Sequence, residues 1–144
     1  MPDPAHLLAR MRMKEFAGRY TAAWCSKDAA SVAAFYSANG SLRVNDGHPA
    51  VGRDAITGVA QGFMTDFPDM RVLMDDLLVE DGRLIYRWTL EGTNTGPGGT
   101  GNRVRLSGFE EWQIGSDGLI AESHGHFDSA EYQRQLEHGI REPE

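Results

Sequence analysis

The stretch Met70-Arg-Val-Leu-Met-Asp-Asp-Leu-Leu-Val-Glu80, Asp81-Gly82, Arg83-Leu-Ile-Tyr-Arg-Trp-Thr-Leu-Glu-Gly-Thr-Asn94 decides the fold class. Apolar residues recur there at every second position, as in Leu84, Tyr86, Trp88 and Leu90, the period of a strand with one buried face. Asp-Gly between two such runs is a strong hairpin signal, because it supplies the positive φ that a tight turn between twisted strands requires. Two further strands are predicted over 102–114 and 119–128. Their connections are the glycine-rich Thr95 to Gly101 and the turn Ser116-Asp117-Gly118. Three successive hairpins therefore predict an antiparallel meander, with a final helix beginning near Ser129.

Upstream of Met70 the period is helical. Leu8, Met11, Phe16, Tyr20, Ala23 and Trp24 recur at three and four, which predicts one long amphipathic helix from Ala5 to Lys27. Asp28 can cap a short second helix running through Val32, Phe35 and Tyr36 and ended by Asn39-Gly40. Ser41 to Val44 reads as a short strand and Asn45-Asp46-Gly47 as a turn. Gly52 to Phe67 is a third helix with Ile56, Val59, Ala60, Phe63 and Met64 as its buried stripe. It stops at Phe67-Pro68-Asp69, since a residue before proline is driven out of the helical region. Residues 1–144 are read as one α+β domain, with the helices on one side of a curved antiparallel sheet.

Composition bounds the partners. The 144 residues are enough for one self-sufficient core, and the 40% apolar and 24% charged fractions are those of an ordinary globular chain. With 14 Lys+Arg against 21 Asp+Glu the formal charge is −7, which argues against nucleic acid or an anionic membrane as partner. One cysteine, Cys25, permits no internal disulfide and fits a reducing cytoplasm. Neither a membrane span nor an export signal is visible, so a cytoplasmic location is expected.

The chemistry-bearing residues concentrate on the last strand. Ile120, Glu122, His124, His126 and Asp128 share one strand parity. Facing a cavity, such a row serves proton transfer or metal binding; facing solvent, it needs no explanation. Asp128 also has a structural reading as the cap of the helix from Ser129 or Ala130. His124 and His126 have the spacing of a metal pair that Glu122 or Asp128 would complete, but the reading adopted has no metal and no cofactor. Glu110 shares parity with Val104, Leu106, Trp112 and Ile114, so it is expected to be buried and either protonated or paired, Arg87 or Arg105 being the candidate partners. Glu111 has the opposite parity and is expected to be solvated. Tyr20 and Trp24 lie one turn apart on the apolar face of the first helix, as plain core or as a pocket floor. Cys25 is expected to be a buried structural thiol. The segment Gly96-Pro-Gly-Gly-Thr-Gly101 precedes a strand rather than opening a helix, which rules against a phosphate loop and suggests a flexible lip at a pocket mouth.

The order of elements resembles the cone-shaped fold of nuclear transport factor 2, shared by SnoaL-type polyketide cyclases, ketosteroid isomerase and limonene epoxide hydrolase. The SnoaL-like pieces are Phe67-Pro-Asp-Met70, Tyr86-Arg-Trp-Thr89, Glu91-Gly-Thr-Asn94, Thr100-Gly101, Asp117-Gly-Leu-Ile-Ala-Glu122, and Asp128 with Gln135-Leu136. The resemblance implies a homodimer whose cone holds a small apolar or polycyclic molecule, and acid/base catalysis without a cofactor. It implies Asp128 as the acid/base, tuned by His126 and His124, with Trp88 beside the ligand. Arg19-Tyr-Thr-Ala-Ala-Trp24 resembles the first helix of ketosteroid isomerase. That match implies Tyr20 and Glu110 as donors to a ligand oxygen, Glu110 being held neutral by apolar surroundings, with Asp46 roughly where the general base stands. Epoxide hydrolysis is the weaker reading, because its Asp-Arg-Asp arrangement does not assemble from this sequence. A module without chemistry is the remaining one.

Overall fold

The structure is a computed structural model and describes residues 4–140, with side chains from residue 11 onward. Its elements are α1 (Pro4–Cys25), α2 (Ala29–Ala33), β1 (Tyr36–Val44), β2 (Ala50–Val51), α3 (Arg53–Asp66), β3 (Arg71–Glu80), β4 (Arg83–Thr93), β5 (Arg103–Ile114), β6 (Ile120–His126) and α4 (Ser129–His138). Helices come first and a curved sheet follows, giving the α+β cone read from the sequence. No helix among the described residues is long and apolar enough to cross a membrane.

The meander forms as its turns dictate. β3, β4, β5 and β6 pair in succession and antiparallel, with Leu84 opposite Trp112 and Tyr86 opposite Glu110. Asp81 and Gly82 both take positive φ, 52° and 78°, as a tight hairpin turn demands. Two features depart from expectation. The sheet order is β2-β1-β6-β5-β4-β3, and β1 lies parallel to β6, so the sheet is mixed rather than wholly antiparallel. That pairing joins distant parts of the chain and leaves no turn signature. The second short helix also ends at Ala33, and the segment from Tyr36 onward is strand. Ile120 N donates to Phe35 O at 2.9 Å, and a register irregularity between Tyr36 and Ser41 carries β1 past β6. At Gly40 a Cβ would stand 2.8 Å from Ile120 O, so only glycine allows this close pass. Tertiary pairing here overrides local helical preference.

The core lies between the inner face of the sheet and the helices. α1 contributes Phe16, Ala17, Tyr20, Ala23 and Trp24, while Met11 is 60% exposed and lies off the stripe; the side chain of Leu8 lies outside the described residues. α3 buries Ile56, Ala60 and Met64. α4 is fastened over β5 by side chain to backbone bonds, Arg105 N to Gln135 Oε1 at 2.7 Å and Asn102 Nδ2 to Leu136 O at 2.8 Å. Cys25 is exposed rather than buried, and its sulfur engages the backbone of Val72 at 3.2–3.3 Å. The glycine-rich loop is pinned rather than loose. Buried Asn94 donates to Asp66 O at 3.1 Å and accepts from Thr100 N at 2.8 Å, which ties the loop to the end of α3.

Candidate functional site

Inner-face parity on β4, β5 and β6 brings Tyr86, Trp88, Glu110, Trp112 and Ser123 towards α1. Trp112 stacks on Tyr86 with centroids 4.8 Å apart and receives the edge of Tyr20 at 5.0 Å. These aromatic contacts, worth roughly 0.5–1.5 kcal/mol each beyond area burial, fix the wall on which Glu110 sits. Glu110 is 8% exposed and Tyr20 fully buried. Three donors converge on one carboxylate oxygen: Tyr20 Oη at 3.0 Å, Trp112 Nε1 at 2.8 Å and Ser123 Oγ at 2.9 Å, all to Glu110 Oε1. The hydroxyl of Tyr36 lies 2.9 Å from that of Tyr20. Since Tyr20 spends its proton on Glu110, Tyr36 is the donor within this pair.

Glu110 lines an apolar cavity of about 60 Å³, bordered by Trp24, Leu42, Phe63, Trp88, Leu106 and Tyr132 among others. It supplies the one carboxyl group among the described lining residues. Oε1 is saturated by its three donors, so the proton of the acid form belongs on Oε2, which takes no partner from the described residues. Burial raises the Glu110 pKa above its ordinary value; the bonds from Trp112, Ser123 and Tyr20 oppose this without cancelling it. Burial, and then the nearby Glu110, push Tyr20 and Tyr36 well above 10, so both stay protonated donors. Trp88 Nε1 is buried without an acceptor among the described residues, and Trp88 lines the cavity. Gly108 makes room for it, because a Cβ there would lie 2.6 Å from the indole Cζ2.

The site residues named from sequence divide into two groups. Trp24, Trp88 and Glu110 line the cone, and Tyr20 stands behind Glu110 as its donor rather than at the cavity surface. No cation pairs with Glu110 among the described residues; Arg105 pairs instead with Glu91 at 3.4 Å. The other group lies outside the cone. β6 has a register irregularity opposite Gln113 and Ile114, so Ile120 is buried while the row beyond it turns outward. Ser123 and Gly125 take the buried positions, and Glu122, His124 and His126 face away from Glu110. Asp128 is exposed and caps α4, Oδ1 accepting from Glu131 N at 3.1 Å. Asp46 borders a separate open hollow with His126 and Asp128. Geometry thus removes Asp128, His126, His124 and Asp46 from the cavity that the sequence reading gave them.

Outside, Glu111 sits directly across from His124, and the His124 and His126 ring centroids are 4.0 Å apart. Burial lowers the His126 pKa first and the neighbouring His124 lowers it further. Sequence reasoning missed Ser123, Trp112 and Tyr36 as members of the inner network, and Glu111 as a neighbour of the histidines. The parity of Trp112 was available; the bulge that inverts β6 was not.

A curved sheet wrapped on helices defines a cone-shaped α+β fold of the nuclear transport factor 2 type. The sequence profile of the SnoaL-like polyketide cyclases matches residues 14–136, and the chain belongs to that family. No curated protein sequence gives a significant match. Among solved structures, AclR, a putative hydroxylase from Streptomyces galilaeus, superposes with a TM-score of 0.75 at 22% identity, covering 93% of this chain and 86% of its own. A putative polyketide cyclase from Xanthomonas campestris pv. campestris gives 0.71 at 22% identity over 88% of this chain and 98% of its own. A hypothetical protein with a ketosteroid isomerase-like fold from Catenulispora acidiphila, in complex with trimethylamine, gives 0.73 at 13% identity over 85% and 92%. At these identities the likeness establishes the fold.

Proposed function

We propose that this chain binds a small, mostly apolar carbonyl compound in the cone and performs cofactor-independent acid/base chemistry on it through Glu110, of the isomerase or cyclase type. The observation that carries this reading is the buried Glu110 lining the cavity, with three donors on Oε1 and none on Oε2 from the described residues. A carboxyl whose pKa is raised by burial is a better proton carrier near neutral pH than a solvated one. Glu110 Oε2 takes a proton from the carbon beside the ligand carbonyl. The Trp88 N–H donates to the developing enolate oxygen, and Glu110 returns the proton at a second carbon or after ring closure. The free volume of about 60 Å³ is well below the roughly 300–1,000 Å³ of pockets for drug-sized ligands, which disfavours a polycycle and requires the lining side chains to move apart for any ring.

The test needs no known substrate. Incubating the protein with cyclohexanone in D₂O and following loss of the α-proton signal by NMR reads proton abstraction beside a carbonyl. Exchange above the buffer rate is expected for the wild type, falling to that rate in Glu110→Gln and in the cavity-filling Leu106→Trp. Wild-type exchange no faster than buffer, or equal exchange in Glu110→Gln, contradicts the reading. A non-catalytic binding module is the second reading, favoured by the lack of another carboxyl among the described lining residues. It requires ketone-dependent quenching of tryptophan fluorescence without catalysed exchange. The proposal extends to a cytoplasmic homodimer, for which sedimentation should give twice the chain mass.

A further inference from the structure

We propose that Glu111, His124 and His126 form a binding site for a divalent transition-metal ion of the zinc class on the outer face of the sheet, separate from the cone. One ligand atom from each of the three lies within 4.8 Å of the other two. The sheet holds them there: Glu111 is directly opposite His124 in the antiparallel register, and His126 follows on the same face of β6. Two imidazoles and one carboxylate are a donor set that zinc accepts, with water in the fourth position.

Three details favour an ion over a solvated polar patch. His126 Nε2 is shielded from solvent and has no hydrogen-bond partner among the described residues, although the side chain as a whole is a third exposed. A buried polar atom without a partner calls for an occupant that satisfies it. Stacking on Phe109, with centroids 4.7 Å apart, holds the plane of the ring in place. His124 Nε2 lies 2.7 Å from Asn45 O, and a carbonyl can only accept, so the proton sits on Nε2 and the lone pair on Nδ1. A backbone carbonyl that fixes the tautomer of a histidine is the usual outer support of a metal ligand. Glu111, finally, divides its two oxygens. Oε1 meets Arg83 at 3.4 Å, while Oε2 points to His126 Nε2 at 3.8 Å, too long for a hydrogen bond. Donor atoms around tetrahedral zinc stand about 3.3 Å apart, so side-chain rotations of about an ångström close the group on an ion.

The experiment is titration of chelator-treated protein with zinc chloride by isothermal calorimetry near neutral pH. Saturable uptake in the micromolar range or tighter is expected, weakened at least about tenfold by His126→Gln and by Glu111→Gln and unchanged by His138→Ala on α4. Cobalt(II) gives a second readout independent of stability. The wild type should develop visible d–d bands of imidazole ligation, and His126→Gln should not. No saturable zinc uptake overturns the site, as does uptake of equal affinity in both ligand variants or a cobalt spectrum identical to that of the free ion.

Discussion

Glu110 is a carboxyl that the fold has made scarce and directional. Burying it ionised and alone would cost several kcal/mol, and the three donors on Oε1 are what make the position tolerable. Glu110→Gln preserves the shape and the acceptor but removes the exchangeable proton. Turnover of any accepted ketone should fall about 10²–10⁴-fold while ligand-induced fluorescence quenching persists, as stopped-flow and equilibrium titrations would show. Tyr20→Phe acts behind the site. It strips one donor from Glu110 and leaves the Tyr36 hydroxyl without its partner, so urea unfolding should show a loss of roughly 1–3 kcal/mol. The Glu110 pKa should rise further, because a bond favouring the charged form is gone. The burial of Glu110 was legible in its parity with Leu106 and Trp112. Its donors were not, because Tyr20 and Ser123 come from elements whose juxtaposition no local pattern encodes.

At the scale of elements, β6 shows how one irregular residue redirects a functional reading. Strict alternation from Ile120 puts every ionisable group on the buried side. The register irregularity near Ile120 inverts that assignment, and Ser123 and Gly125 face inward instead. Asp128 is left as the first residue of the α4 junction, where its carboxylate satisfies the free N–H of Glu131. Asp128→Ala should therefore lower unfolding stability by about 1 kcal/mol and leave turnover unchanged, in chemical denaturation and a ketone-exchange assay run side by side. On β5, Gly108→Ala should cost roughly 1–3 kcal/mol and displace Trp88, seen as a shifted tryptophan emission, since the added methyl meets the backbone oxygen of His126 first and the indole ring next. Hairpins and helices were readable because their signals are local. The parallel pairing of β1 with β6 and the shortening of α2 were not, because a partner more than eighty residues away creates them.

For the molecule as a whole, the cone couples global stability to the protonation of one group. A carboxyl whose folded pKa lies above its unfolded value of about 4.3 stabilises the native state fully below that value, and the contribution is lost as pH rises through the folded pKa. Glu131, lowered to about 2 by Arg134 and then Gln135, works in the opposite sense: its contribution is present above the unfolded pKa and lost as pH falls toward about 2. The difference between wild type and Glu110→Gln isolates the first effect. Relative to the variant, the wild type should lose stability as pH climbs above about 4.3. The most direct measurement is the Glu110 titration itself, by carbon-detected NMR on protein labelled at the glutamate carboxyl carbon and assigned with Glu110→Gln. A midpoint above about 4.3 that moves when cyclohexanone enters the cone is the expected result. A midpoint at or below that value, indifferent to the ketone, would show Glu110 to be a structural anion and not the acid/base of the cavity.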